Sequence, residues 1–371
     1  MTSNRRQVLK GISTLGMAAA TGGSALLASA AVKTQPAKAG LHWPKSTGSP
    51  VIDSLRPVIE RSREVTTHYA RIVDAAGWMA YEELPMPKMA VPYGLDKDPE
   101  TAIDFIMVAT TINSAFTDFK THVKFQIEYG GQTLSDSDAM VACLKRAMDA
   151  GTPMLDGKFL AKITRSDMER IFAGNMEIPM LEEKMQVFRQ AGEVLSSRYD
   201  GRYYNFVKSC PPRLYDNGNG LVERLVKEFP RFNDVSQYDG HEIKFYKLAQ
   251  LGYWGMYSGL GGTGAFKLED ASRLSAFADY IVPVALRAMG ITTYSPALEQ
   301  AVNSYQMIPR DSMQEVEIRA HSLYATALLA EEVNKLRPTE MQVIIPQIDA
   351  RIWTHYHTTF WPHHLTKTIM Y

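Results

Sequence analysis

Apolar residues recur three and four positions apart along most of this chain, and that spacing commits it to helices. Residues 54–76 place Leu55, Val58, Ile59, Tyr69, Ile72 and Val73 at helical intervals. Residues 136–150 repeat the pattern with Met140, Cys143, Leu144, Ala147 and Met148, opened by Ser-Asp capping chemistry and closed by Gly151. Ser166-Asp167-Met168-Glu169 reads as a capping box. Residues 181–198, with Met185, Phe188, Val194 and Leu195, form another helix, and residues 317–336 a long amphipathic one stopped by Pro338. Only residues 122–129 and 342–345 read as short strands. No repeat, composition break or long linker intervenes. The expectation is an all-α fold, one predominantly helical domain over residues 40–371.

Composition narrows the partners. Forty basic residues balance forty acidic ones, so no field gathers nucleic acid or an anionic membrane surface. The two cysteines, Cys143 and Cys210, can build neither a disulfide scaffold nor a four-thiolate metal site. With 45% apolar residues in 371, the chain can bury a sizeable core. The first 39 residues read as an address. Arg5-Arg6 precede Val8-Leu9-Lys10, a Gly-interrupted apolar stretch runs to about residue 31, and two small-x-small sites follow, Ala28-Ser29-Ala30 and Ala37-Lys38-Ala39. This is the layout of a twin-arginine signal, too weakly apolar for a stable membrane anchor. It predicts passage through the twin-arginine machinery to a periplasmic or extracellular location.

Common catalytic fingerprints are missing. There is no G-x-S-x-G elbow, P-loop or dinucleotide fingerprint; Gly259-Leu260-Gly261-Gly262-Thr263-Gly264 follows an aromatic helical segment and reads as a loop, not a phosphate cradle. His355, His357, His363 and His364 crowd behind Asp349, but His355 and His357 would project to different sides of a helix, so no metal is expected. Asp279 stands among Phe277, Ala278 and Tyr280, four residues before Pro283. A carboxylate among rings needs a donor or a cation; the same position suits a helix N-cap, and the sequence leaves both readings open. Asp349 beside Arg351 reads equally as a capping or ion-paired residue.

The run Phe277-Ala278-Asp279-Tyr280, then Pro283, Leu286 to Gly290 and Tyr294-Ser295, resembles the signature of the queuosine salvage family. Ile112-Asn113-Ser114-Ala115-Phe116, Gly192-Glu193-Val194-Leu195, Phe245-Tyr246-Lys247-x-Ala249-Gln250, Ile348-Asp349-x-x-Ile352-Trp353 and the closing His363-His364 and Tyr371 follow in the family's order, covering residues 50–371. The resemblance implies a helical fold related to helix–hairpin–helix DNA glycosylases and an N-glycosidase that releases the base queuine from queuosine 5′-phosphate, without a cofactor. It implies Asp349 and Asp279 as catalytic groups, with Phe277, Ala278, Tyr280, Asn113, Phe116, Lys247 and Trp353 binding a small modified nucleoside or nucleotide.

The residue types suit that chemistry. Breaking an N-glycosidic bond builds positive charge on the ribose, which a buried carboxylate stabilises, and such a group can also activate water. Rings such as Phe277, Tyr280 and Trp254 can stack on a base. The chain departs from the family at Ile281 and Leu248, where arginines are usual, and at Ser114 and Thr117, where rings are. Lost arginines would remove bidentate phosphate contacts, which raises a nucleoside as the substrate. Two other readings are an exported nucleoside- or base-binding protein that has lost hydrolysis, and, last, an accessory subunit of a redox enzyme.

Overall fold

A computed structural model describes residues 41–45, 48–87, 92–357, 359 and 361–371; the proposed export segment lies outside them. The body is predominantly helical. Its axis is the helix Met313–Leu336, opened by Ser312, whose hydroxyl accepts from Glu315 N at 3.3 Å. This helix is not amphipathic: it is buried on nearly every side from Glu315 to Val333, because Arg56–Arg61, Tyr69–Met79, Ile281–Ala288 and Ile345–Tyr356 all pack on it. Its polar residues therefore take fixed partners. Leu181–Arg198 spans the residues expected, and Asp136–Asp149 ends one residue early, with Gly151 at φ 83° beyond it.

Three expectations fail for identifiable reasons. Residues 54–76 are not one helix. Pro50–Ser54 and Arg56–Arg61 are short helices, Val65–Thr67 is a strand against Thr292–Tyr294, and only Tyr69–Met79 is a longer helix. The N–H groups of Arg63, Glu64 and Val65 all donate to the Glu317 carboxylate, which pulls the chain out of helical geometry, and β-branched Val65, Thr66 and Thr67 suit a strand. Residues 342–345 are not a strand either: the Asn334 side chain donates to Val343 O and accepts from Val343 N, taking the bonds a strand partner would take, and a helix starts at Ile345. The capping box falls two residues early, on Thr164 and Asp167.

The remaining strands are hairpins. Gln126–Tyr129 pairs with Gln132–Ser135 and Val235–Tyr238 with His241–Lys244. Gly130-Gly131 and Asp239-Gly240 turn them with positive φ at both central positions, the geometry a two-residue hairpin requires. Gly259 to Gly264 closes the helix Lys247–Leu260 with a 3-10 turn, not a phosphate cradle on a strand. Among the described residues no helix is long and apolar enough to cross a membrane.

Candidate active site

The segment carrying Asp279 is fastened from three elements. Gln250, in the helix Lys247–Leu260, accepts from Ser275 N at 2.9 Å and donates to Phe245 O, holding the segment's entry. Asp349, in the helix Ile345–Tyr356, accepts from Phe277 N at 2.8 Å. Arg319, in the central helix, donates through Nε to Ala278 O at 3.2 Å while its Nη atoms grip Asp234 at 3.0 and 2.6 Å. Asp279 itself resolves the two readings by fulfilling both. Its Oδ1 accepts from Ile281 N at 2.8 Å and Val282 N at 3.0 Å, capping Ile281–Ala288, and its Oδ2 accepts from Trp353 Nε1 at 2.9 Å. Trp353 lies one turn after Asp349, so the two share a helix face.

These side chains wall a cavity of about 280 Å³. Asp349, Asp279, Phe277, Tyr280, Asn113, Phe116, Lys247 and Trp353 line it, as does Trp254. Ala278 does not; its buried carbonyl faces Arg319 instead, so its place is structural. Ile281 and Leu248 do not line it either. The residues at which the chain departs from the expected arginines are buried beside the lining residues, not among them. The sequence reading also missed Asp136, Ser137, Leu251, Thr354 and His357 in the wall.

Residues 113–116, which follow the helix Pro99–Thr111, supply another part of the wall. Buried Lys184 donates to Ala115 O at 3.1 Å and Pro179 O at 2.6 Å, holding Ala115 at φ 49°. Burial, and then the nearby Arg231 charge, push the Lys184 ammonium down to about 7. Arg231 Nε donates to Thr111 O at 2.6 Å, pinning the end of the helix before the loop.

The charges inside the cavity act on one another. Burial raises the Asp349 carboxyl well above the usual carboxylate range, the charge of Asp279 adds to this, and the Phe277 N–H and Lys247 oppose it. Burial lowers the Lys247 ammonium, while Asp279 and, less strongly, Asp349 hold it up. The site thus sets a carboxyl whose burial favours the protonated form beside a second acid, among rings. The histidines divide: His357 stacks on Trp353 at 4.3 Å, His363 lies 4.7 Å from the Tyr280 ring, His364 bonds Tyr371 at 3.2 Å, and His355 packs edge-on to Tyr356. Among the described residues no three His, Cys, Asp or Glu groups gather as metal ligands.

A helical body around an aromatic cavity with coupled acids defines a small-molecule site equipped for acid–base chemistry. The chain belongs to the queuosine salvage family: the family model described as queuosine salvage protein matches residues 93–371. A Sphaerobacter thermophilus protein named queuosine 5′-phosphate N-glycosylase/hydrolase is 31% identical over 325 residues, covering 86% of this chain and 97% of that protein. Proteins of the same name are similar too. That of Bos taurus is 28% identical, covering 76% of this chain and 79% of its own, and that of Mus musculus 27%, covering 82% and 91%.

Proposed function

We propose that this protein is an N-glycoside hydrolase that frees queuine, or a closely related base, from queuosine 5′-phosphate or queuosine. The observation that carries the reading is the coupled pair Asp349–Asp279 in an aromatic cavity, in a chain whose relatives bear that activity in their names. The bond between C1′ and the base nitrogen breaks with its electron pair moving to the base. Asp349, whose burial favours its protonated form, delivers a proton to the departing base and regains one from water, whose oxygen bonds to C1′. Asp279 and Lys247 hold the surrounding charge, and Phe277, Tyr280, Trp254 and Trp353 supply ring faces for the base.

Kinship with helix–hairpin–helix DNA glycosylases fits the helical body and the base-sized cavity. Export through the twin-arginine machinery, with residues 1–39 removed, fits the Arg5-Arg6 layout and would place the reaction outside the cytoplasm.

Incubating the purified protein with queuosine 5′-phosphate and with queuosine, and measuring free queuine by chromatography, tests the hydrolase. Release from either supports it. Tight base binding with no release from both would overturn it in favour of a binding protein.

A further inference from the structure

Asp136 is a cavity-lining acid that the proposed chemistry leaves unused. It is only 5% exposed, and its backbone adopts φ 56°, a left-handed conformation uncommon outside glycine. Phe125 O accepts its N–H at 3.1 Å, which holds that conformation in place. Its two oxygens are not equivalent. Oδ2 accepts from Lys124 Nζ at 2.6 Å and has His357 Nε2 at 3.7 Å. Oδ1 has no hydrogen-bond partner among the described residues. A buried acceptor without a donor costs stability, and where such a group persists at the wall of a cavity a ligand is the natural donor.

The surroundings select the kind of donor. The Lys124 side chain is half-exposed, so water screens its charge and it neutralises Asp136 only in part. The charge of Asp136 reaches into the cavity wall, where it raises the Tyr280 hydroxyl along with burial. The buried ammonium of Lys247 couples to Asp279 and Asp349 instead. Asp136 thus brings a carboxylate with one unpaired oxygen to the cavity wall, and a ligand ammonium with two N–H groups suits it.

Queuine is a 7-deazaguanine whose aminomethyl arm is a secondary amine, cationic at neutral pH. We infer that Asp136 receives this arm and so makes the site selective for 7-deazaguanines that carry a secondary ammonium. This inference rests on the hydrolase reading. It concerns the base's side arm, whereas the bond cleaved lies at the sugar.

Two bases decide it: queuine, which has the arm, and 7-deazaguanine, which lacks it. Their affinities are measured by calorimetry on wild type, Asp136→Asn and Lys124→Met, alongside queuine release from queuosine 5′-phosphate. Asp136→Asn should weaken queuine by about 10- to 100-fold and leave 7-deazaguanine within about threefold. Lys124→Met, which removes the competing cation, should leave queuine binding equal or tighter. Equal weakening of both bases in Asp136→Asn, or weaker queuine binding in Lys124→Met, overturns the inference. If Asp136→Asn does not fold, the direction of the Lys124→Met change decides alone. Queuine release by wild type together with unchanged base selectivity in Asp136→Asn defeats this inference and leaves the hydrolase intact. No release from any substrate defeats the hydrolase itself.

Discussion

Trp353 donates its indole N–H to Asp279 Oδ2 over 2.9 Å, and it stands one helical turn beyond Asp349. One helix face therefore carries one acid and the donor that aims the second. The same ring stacks on His357, so its shape and its N–H serve separate ends.

Trp353→Phe separates them. It keeps an aromatic face against His357 but leaves Asp279 Oδ2 without that donor. Turnover should fall about 10- to 100-fold, with a stability loss of roughly 1–3 kcal/mol for the unpaired acceptor. Steady-state kinetics and urea unfolding check this. Unchanged kcat would mean that the indole N–H does not position Asp279 for the reaction.

Asp349→Asn should cost about 10²- to 10⁴-fold in kcat while changing base affinity little, because the amide cannot carry a proton across the reaction. It should also stabilise the fold at high pH. The folded carboxyl holds its proton above the pH at which the unfolded chain releases it. Its stabilising contribution is thus present below the unfolded value and lost as pH rises through the folded one. Asparagine has no such loss. The Tm advantage of the variant over wild type should therefore be larger at pH 8 than at pH 5; the reverse trend would contradict a raised Asp349.

What could be read from the sequence followed distance along the chain. The spacing of Asp349 and Trp353 puts them on one helix face without any structure, and Asp279 before Pro283 already suits a cap. Leu181–Arg198 was legible because its periodicity is local. Asp136 read only as capping chemistry, since its place in the cavity depends on a turn of chain remote from Asp279 and Asp349. The helix misread over residues 54–76 failed likewise: its apolar spacing is intact, and a carboxylate from the distant central helix takes the N–H groups of residues 63–65. Burial of the central helix on all sides was equally hidden, because its own charged residues make it look half-exposed until their partners are known.

Lys184 gives a second pH signature, of opposite sign. Its folded ammonium titrates near 7 against 10.5 for an ordinary lysine, so between these values the folded chain binds fewer protons than the unfolded one. By linkage, stability from this group rises with pH across that window, by up to about 1.4 kcal/mol per pH unit. Lys184→Met removes the titration along with the bonds to Ala115 and Pro179. Urea unfolding at pH 7 and pH 9 should show the variant falling further behind wild type at pH 9. A gap that stays constant with pH would place the ammonium in water.

Glu317 joins the early chain to the central helix. Its carboxylate accepts from Glu64 N at 2.7 Å, Arg63 N at 3.0 Å, Val65 N at 3.0 Å and Tyr238 OH at 2.7 Å. Burial nevertheless raises its pKa, so desolvation outweighs four donors. Glu317→Ala would strand these donors together, with an expected loss of roughly 3–5 kcal/mol, as for removal of one partner from a buried charged network. Glu317→Gln should lose less, because it keeps one acceptor oxygen, although its amide nitrogen then faces donors. Since the strand Val65–Thr67 exists through these bonds, amide exchange at Val65 should quicken more in Glu317→Ala than exchange at Leu195, in a helix that does not touch Glu317. Equal protection at both sites would show that β-branching alone, and not the carboxylate, makes the strand.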